Sequence, residues 1–539
     1  MVQPFNRLAE RIVDELLAAD PLLALSAGDH RVDDRLPDLS QDGIAARTQM
    51  LREAADVLDG LDEDALDAQQ RVDHAQLTWL VERALFDLTE VRQAEWNPLL
   101  HNPGDLLFAL IARPFAPAEQ RLESLTARLS AIPDALAAAR AMLVDCPRVH
   151  VETAVGQFRG TAGLVRDEVP RMLAEAPALR SKVEPAVEIA HTALDDFANW
   201  LSGLLATGDD GRDPRLGRRL WEARLWHTLD TEMTAAEVMR RARANLEAVS
   251  EQIREAAVTL MGGPSTDDTV RAALNRLADE HPDNSSIVDL SRICLAEATD
   301  FVRDHELVSL VDDPCVIMEM PEFARGVSVA YCDAPGPLED DRLPTFFCIS
   351  PTPASWSPER VESFYREYNN HLLRDLTVHE AMPGHFLQLA HARRASVPTR
   401  VRAVARSGPF IEGWAVYAEQ VMVEHGFGGV PLRLQQLKMQ LRSTINAILD
   451  QRVHCEDLTE GEAMALMMQR GFQEEGEAAG KWRRALLTAA QLSTYFVGYV
   501  EVAALGRARP AGTPPRAWHD AMLAHGSPAP RHVSALLLA

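Results

Sequence analysis

No run of uncharged apolar residues in this chain approaches the ~18 that a membrane-spanning helix needs, although 47% of its 539 residues are hydrophobic. The N-terminal stretch MVQPFNRLAERIVDELLAAD is charged throughout. It lacks an apolar h-region and a small-residue cleavage site, so it predicts an amphipathic helix and no secretory signal. The six cysteines (Cys146, Cys294, Cys315, Cys332, Cys348 and Cys455) are scattered without a C-x-x-C pair. In a chain this long they make no disulfide framework. Each reads as a small buried hydrophobe, and the expected location is a reducing cytoplasm. Positive charge is also scarce: 54 Lys and Arg face 80 Asp and Glu, a formal net charge of −26. Such a surface repels phosphate backbones and anionic lipid, which argues against nucleic-acid and membrane partners.

Helical signals dominate what is there. Residues 5–300 read as successive amphipathic helices, among them AEQRLESLTARLSAIPDALAAARAML and AAEVMRRARANLEAVSEQIREAAVTLM, with apolar residues near i, i+3, i+4 and i+7. Turn signals such as NPG at 102–104, GDDGRDP at 208–214 and GGPSTDD at 262–268 break them. There is no fixed-period repeat and no low-complexity tract. Between 314 and 353 the texture changes to short segments rich in β-branched and aromatic residues, CVIMEMP, GVSVAYC and PTFFCISPT, which predict a small antiparallel sheet. Ser357, Pro358 and Glu359 then open a helix as N-cap, first helical position and first-turn acid. A second helix, HLLRDLTVHEAM, follows Asn369-Asn370.

That second helix carries HEAMPGH. His379 and Glu380 begin like the H-E-x-x-H of zinc peptidases, in which two His one turn apart grip a metal. Here Pro383 occupies the place of the second His, and His385 comes two residues later. At about 100° per residue, six positions place the two imidazoles roughly 240° apart on a regular helix, too far to chelate one ion. Pro383 removes an N–H and clashes with the preceding turn, while Gly384 tolerates unusual dihedrals. The Pro-Gly pair therefore suits either an expanded His-to-His spacing or an ordinary helix end. Downstream, PFIEGWAVYAEQVMVEHG places Glu412 and Glu419 seven residues apart on one helical face. Zinc peptidases commonly take a third ligand as a Glu from the helix after the two His, and one large aminopeptidase family carries it in a pattern like N-E-G-F-x-x-Y. IEGWAVYAE is similar, with Glu412 in the ligand's place. Two His, one Glu and an open position make the catalytic zinc arrangement.

HEAMPGHFLQ and EGWAVYAEQ together resemble the large, mostly bacterial family catalogued as domain of unknown function 885, whose members look like distant relatives of the gluzincin metallopeptidases. LRSTINAILDQRVHCEDLTEGEAMALM at 441–467 is similar to the family's R-x-x-R…D-x-G-x-H stretch, and QLSTYFVG at 491–498 to its Q-x-x-x-Y-x-x-G. Phe386 stands where members often carry a further His, Ile445 replaces the second Arg, and Arg452 replaces the Gly. The resemblance implies a mainly α fold, a large helical body with a small antiparallel β-sheet beside a gluzincin-like pair of metal-site helices. Residues 1–300 would form a helical shell and 301–539 the metal-site part of one continuous folded unit, with the sheet bordering the metal cleft.

The resemblance also implies roles. One Zn2+ would be held by His379, His385 and Glu412, and Glu380 would take the proton from the attacking water. Glu419 would either accept from a ligand imidazole or be a solvated helix carboxylate. Asp450 and His454, spaced i and i+4, would either steady a developing oxyanion or form a surface pair. Tyr495 would donate to the tetrahedral intermediate or lie buried, and Arg442 would contact substrate. The basic run RRASVPTRVRAVAR at 393–406 would hold a substrate carboxylate or make a solvated charged face. The expected activity is zinc-dependent hydrolysis of an amide bond in a short peptide. The alternatives are an amidase acting on a peptide-like metabolite and a helical binding protein that keeps its metal without turnover.

Overall fold

The computed structural model of the chain describes residues 4–320, 325, 329–339 and 343–538. It is about 71% helical, a mainly α fold with a small three-stranded sheet. Residues 321–324, 326–328 and 340–342, which take in parts of the expected EFARG turn, of GVSVAYC and of the loop before the last strand, lie outside the described residues.

The chain divides into two compact units. The first comprises residues 1–215 together with 336–340 and 398–405. One of its cores lies among the long helices Ala118–Met142, Arg148–Leu173 and Arg180–Ala206, where Leu129, Phe158, Phe197 and Leu201 are buried. The other gathers Ile12, Leu17, Leu51 and Leu77 with Val401 and Val404. The basic run read above as a substrate anchor or solvated face reaches this unit through Arg400 and Arg402. Arg402 Nε meets Asp73 at 2.5 Å with both side chains almost wholly buried, so its charge is spent inside the fold.

A small polar cluster holds segment 336–340 within the first unit. His30 stacks on Phe115 and contacts Asp33 through Nδ1 at 2.9 Å and Glu339 through Nε2 at 3.3 Å. Burial by itself disfavours the charged ring, but the hydrogen bonds and attraction of the two carboxylates outweigh it and raise the pKa from 6.5 to about 9. The stabilisation is therefore complete below about pH 6.5 and lost as pH rises through about 9. Thermal unfolding followed from pH 6 to 10 should show stability falling across that window, and His30→Gln should flatten the slope.

The second unit comprises residues 216–335, 341–397 and 406–539, so the helices between 216 and 304 pack with those that carry HEAMPGH and EGW. Its strands are β1 (Cys315–Glu319), β2 (Ala330–Asp333) and β3 (Thr345–Ile349), in the order β1-β3-β2. The sheet is mixed and not antiparallel as expected: β1 pairs with β3 in parallel and β2 with β3 antiparallel. Parallel pairing needs a long crossover, which residues 320–344 supply, and strand composition does not encode direction. β2 is an edge strand of this sheet.

Six helices of this unit matter below: α1 (Asn370–Glu380), α2 (His385–Arg393), α3 (Gly408–Glu424), α4 (Gly429–Cys455), α5 (Glu475–Leu487) and α6 (Ser493–Arg507). Ser357 caps the first of two successive helices as its sequence predicts, and Asn369 caps the second. Leu373, Val378, Leu387, Phe410, Trp414 and Phe347 bury one core, and α4 places Leu441, Ile445 and Leu449 in another with Trp221 and Phe496.

Candidate metal centre

The spacing problem in HEAMPGH is solved by ending one helix and starting another. His379 is the penultimate residue of α1 and His385 opens α2, with Ala381–Gly384 as the turn between them. Ala381 and Met382 both donate to the Thr377 carbonyl, and Gly384 donates to Val378. Trp414 Nε1 donates to the Pro383 carbonyl at 2.8 Å and pins the turn from α3. A Cβ on Gly384 would lie 1.9 Å from the His379 carbonyl oxygen, so the turn closes only with glycine. Gly413, between Glu412 and Trp414, meets Gly498 of α6 backbone to backbone, where a Cβ would stand 2.3 Å from the Gly498 carbonyl carbon. The glycines of EGW and of Q-x-x-x-Y-x-x-G are thus two sides of one close crossing.

This framework brings His379, His385 and Glu412 together, with their ligand atoms within 4.8 Å of one another. Each imidazole Nε2 lies 3.5 Å from Glu412 Oε2. Three ligands around a tetrahedral zinc, each at about 2.0–2.2 Å, are themselves about 3.3–3.6 Å apart. His385 Nδ1 and Glu412 Oε2 are buried without hydrogen-bond partners. The donor set, its spacing and its unspent acceptor fit a zinc ion.

The surroundings favour a cation. Glu419, 3% exposed, accepts from His379 Nδ1 at 2.6 Å, which fixes the tautomer and turns the Nε2 lone pair toward Glu412. Burial alone would lower the His379 pKa, but hydrogen bonds to Glu412 and Glu419 and attraction from Glu419 and Glu380 raise it well above the usual range. Burial would raise the Glu412 carboxyl, yet the His385 and His379 imidazoles hold it well below. Asp375, one turn before His379 on α1, was missed in the sequence. Its buried carboxyl is pushed well up by desolvation and by Glu419, with His379 pulling the other way. The D-x-x-x-H spacing was its only signal. Glu380 Oε2 accepts from the Cys332 N–H at 3.0 Å, which sets β2 beside the site.

Asp450 and His454 are engaged between helices. Asp450 does not hold His454: its two oxygens accept from Trp221 Nε1, the Ala490 and Ser493 N–H groups and Ser493 Oγ. His454 accepts from the Leu216 N–H at Nδ1 and donates from Nε2 to the Ala485 and Thr488 carbonyls. Both residues are buried ties between helices, with no atom left for substrate. The i, i+4 spacing revealed their shared face but not what covers it. Tyr495 accepts from Arg484 Nη2 at 3.3 Å, and Arg442 donates to Glu477 at 2.8 Å.

The chain belongs to the family described as bacterial protein of unknown function (DUF885), whose model matches residues 21–537. Two solved structures share its fold. A candidate lipoprotein of unknown function from Shewanella oneidensis is 28% identical with TM-score 0.84 over 100% of both chains. A candidate lipoprotein from Colwellia psychrerythraea is 17% identical with TM-score 0.79 over 99% of both. An M32 carboxypeptidase from Deinococcus radiodurans R1 aligns over 91% of this chain and 90% of its own at 14% identity, but with TM-score 0.30 the likeness carries no argument. No curated protein matches the chain. Among the described residues no helix is long and apolar enough to cross a membrane.

Because Glu419 orients His379 through Nδ1 and is not among the three converging residues, Glu419→Ala should lower zinc affinity about 10- to 100-fold and leave the fold intact. Competition with a chromophoric chelator measures this directly.

Proposed function

We propose that this protein is a zinc-dependent hydrolase of amide bonds in short peptides. The observation that carries the reading is the pair of 3.5 Å separations from the two imidazole Nε2 atoms to Glu412 Oε2, with Glu380 adjoining His379 in sequence. Zinc at such a site polarises a carbonyl and brings the pKa of water to roughly 7. Glu380 is the general base, and the Cys332 N–H holds its second-oxygen geometry. A structural metal site has no need of that neighbouring carboxylate, which favours turnover over simple binding.

The sheet edge favours a peptide over a metabolite. The Ser350 N–H donates to the Val329 carbonyl, so the backbone groups of residues 329, 331 and 333 face β3, while the Ala330 N–H and C=O and the Cys332 C=O face outward beside the Cys332 N–H that Glu380 takes. An extended substrate can pair with that edge beside Glu380. Tyr495 is the donor to the developing oxyanion: its oxygen accepts from Arg484, which leaves its own O–H free to donate. The free cysteines suit a reducing cytoplasm, and the net charge of −26 suits a partner other than nucleic acid or membrane.

The test is a digest of a mixed-sequence peptide library by zinc-loaded protein, read by mass spectrometry. Cleavage that stops on chelation and returns with zinc is expected. A fully zinc-loaded protein that cuts nothing in the library contradicts the reading.

A further inference from the structure

A cavity of about 430 Å³ opens in the second unit between the aromatic side chains of Trp356, Phe364 and Tyr368 and four cations, Arg360, which stacks on Trp356, Arg442 of α4, and Lys481 and Arg484 of α5. In a chain with net charge −26, such a gathering is unusual. Lysine is itself rare: Lys182, Lys438 and Lys481 are the only three. The nearby carboxylates do not neutralise all of the cations. Glu367 is paired with Lys438 and Glu477 with Arg442, while Glu474 sits at the start of α5. Among the described residues Arg484 is held by neutral groups, Gln491 Oε1 at 2.8 Å and the Tyr495 hydroxyl at 3.3 Å. Lys481 is 8% exposed and makes no hydrogen bond or ion pair among the described residues. A buried, unpaired ammonium is costly unless an anion meets it.

The cavity also lies along the sheet edge from the metal centre. Val329 lines it, and Val329 stands three residues before Cys332, whose N–H holds Glu380. At about 3.3 Å per residue that is about 10 Å along the strand. We propose that this cavity is an anion subsite of the same cleft, where Lys481, Arg484 and Arg442 receive the terminal carboxylate of a peptide laid along β2, about three residues from the bond beside Glu380. Its placement relative to the cut bond rests on the hydrolase reading; its capacity to bind a carboxylate does not. Desolvation and repulsion from Arg442 and Arg484 hold the Lys481 amine well below the usual lysine range, with Glu477 pulling the other way. An entering carboxylate favours the charged ammonium. Arg360, Tyr368, Glu367 and Glu474 are the other titratable groups around the cavity.

The experiment is calorimetric titration of the full chain, stripped of metal, with N-acetylated hexaalanine as the free acid, the same peptide as its C-terminal amide, and inorganic phosphate. The acid should bind at least about tenfold tighter than the amide. Lys481→Met should bring the acid down to the level of the amide, and Lys481→Arg should restore the preference. Equal binding of acid and amide, binding of neither, or a preference that survives Lys481→Met overturns the subsite. Phosphate binding tighter than the peptide acid overturns the peptide as occupant. Because no metal is present, these outcomes are independent of whether the centre holds zinc.

Discussion

Glu380→Gln should retain its zinc and lose at least about 100-fold in kcat. General-base steps contribute about 10²- to 10⁴-fold, and a glutamine amide cannot take a proton from water. The substitution is nearly isosteric, and Glu380 is not among the three converging ligands, so metal content should stay at the wild-type level. The amide oxygen can still accept from the Cys332 N–H, as the carboxylate does at 3.0 Å, so the local structure is preserved. The loss should therefore fall on kcat and on kcat/KM alike, the mark of an interaction made in the transition state. Steady-state kinetics on a cleaved peptide, together with metal analysis of the same sample, make the check. Near wild-type turnover with zinc bound would remove Glu380 from the mechanism.

Gly384→Ala should cost the protein its metal. The added Cβ would meet the carbonyl oxygens of His379 at 1.9 Å and Val378 at 2.3 Å, both backbone atoms of the helix that carries the first ligand. No side-chain rotation relieves that contact; α1 and α2 must move apart, and His379 and His385 with them. A shift of about 1 Å takes two ligands out of zinc's narrow range of bond lengths. We expect a loss of zinc affinity of at least about 100-fold and a lower unfolding temperature. Chelator competition and thermal denaturation read the two effects, and a variant with unchanged zinc affinity would mean that the turn does not position the ligands.

Sequence legibility differed with the kind of constraint. The three converging residues could be read because Pro383-Gly384 solves a local problem of helix geometry and because EGW encodes a ligand, a close backbone crossing and a buried indole anchor in successive positions. Asp450 and His454 share a helix face as their spacing implied, but their partners come from α5, α6 and the chain near 216–221, more than thirty residues away in every case. Helical periodicity carries no information about such partners. The same holds for Arg402, whose buried pairing with Asp73 spans 329 residues, and for β1, whose direction relative to β3 is fixed by the path of the connection. Lys481 was invisible because an isolated lysine in a charged helix reads as solvated; only the fold shows that Arg442 and Arg484 converge on it.

The central claim is that His379, His385 and Glu412 hold one zinc ion. Purified protein should be stripped, reconstituted with zinc, dialysed and assayed by plasma mass spectrometry alongside His385→Ala, whose Nε2 is one of the two atoms 3.5 Å from Glu412. The account predicts one zinc per wild-type chain and a near-complete loss in the variant with its helical content unchanged. Equal zinc in the two proteins, whether near zero or near one, would contradict it.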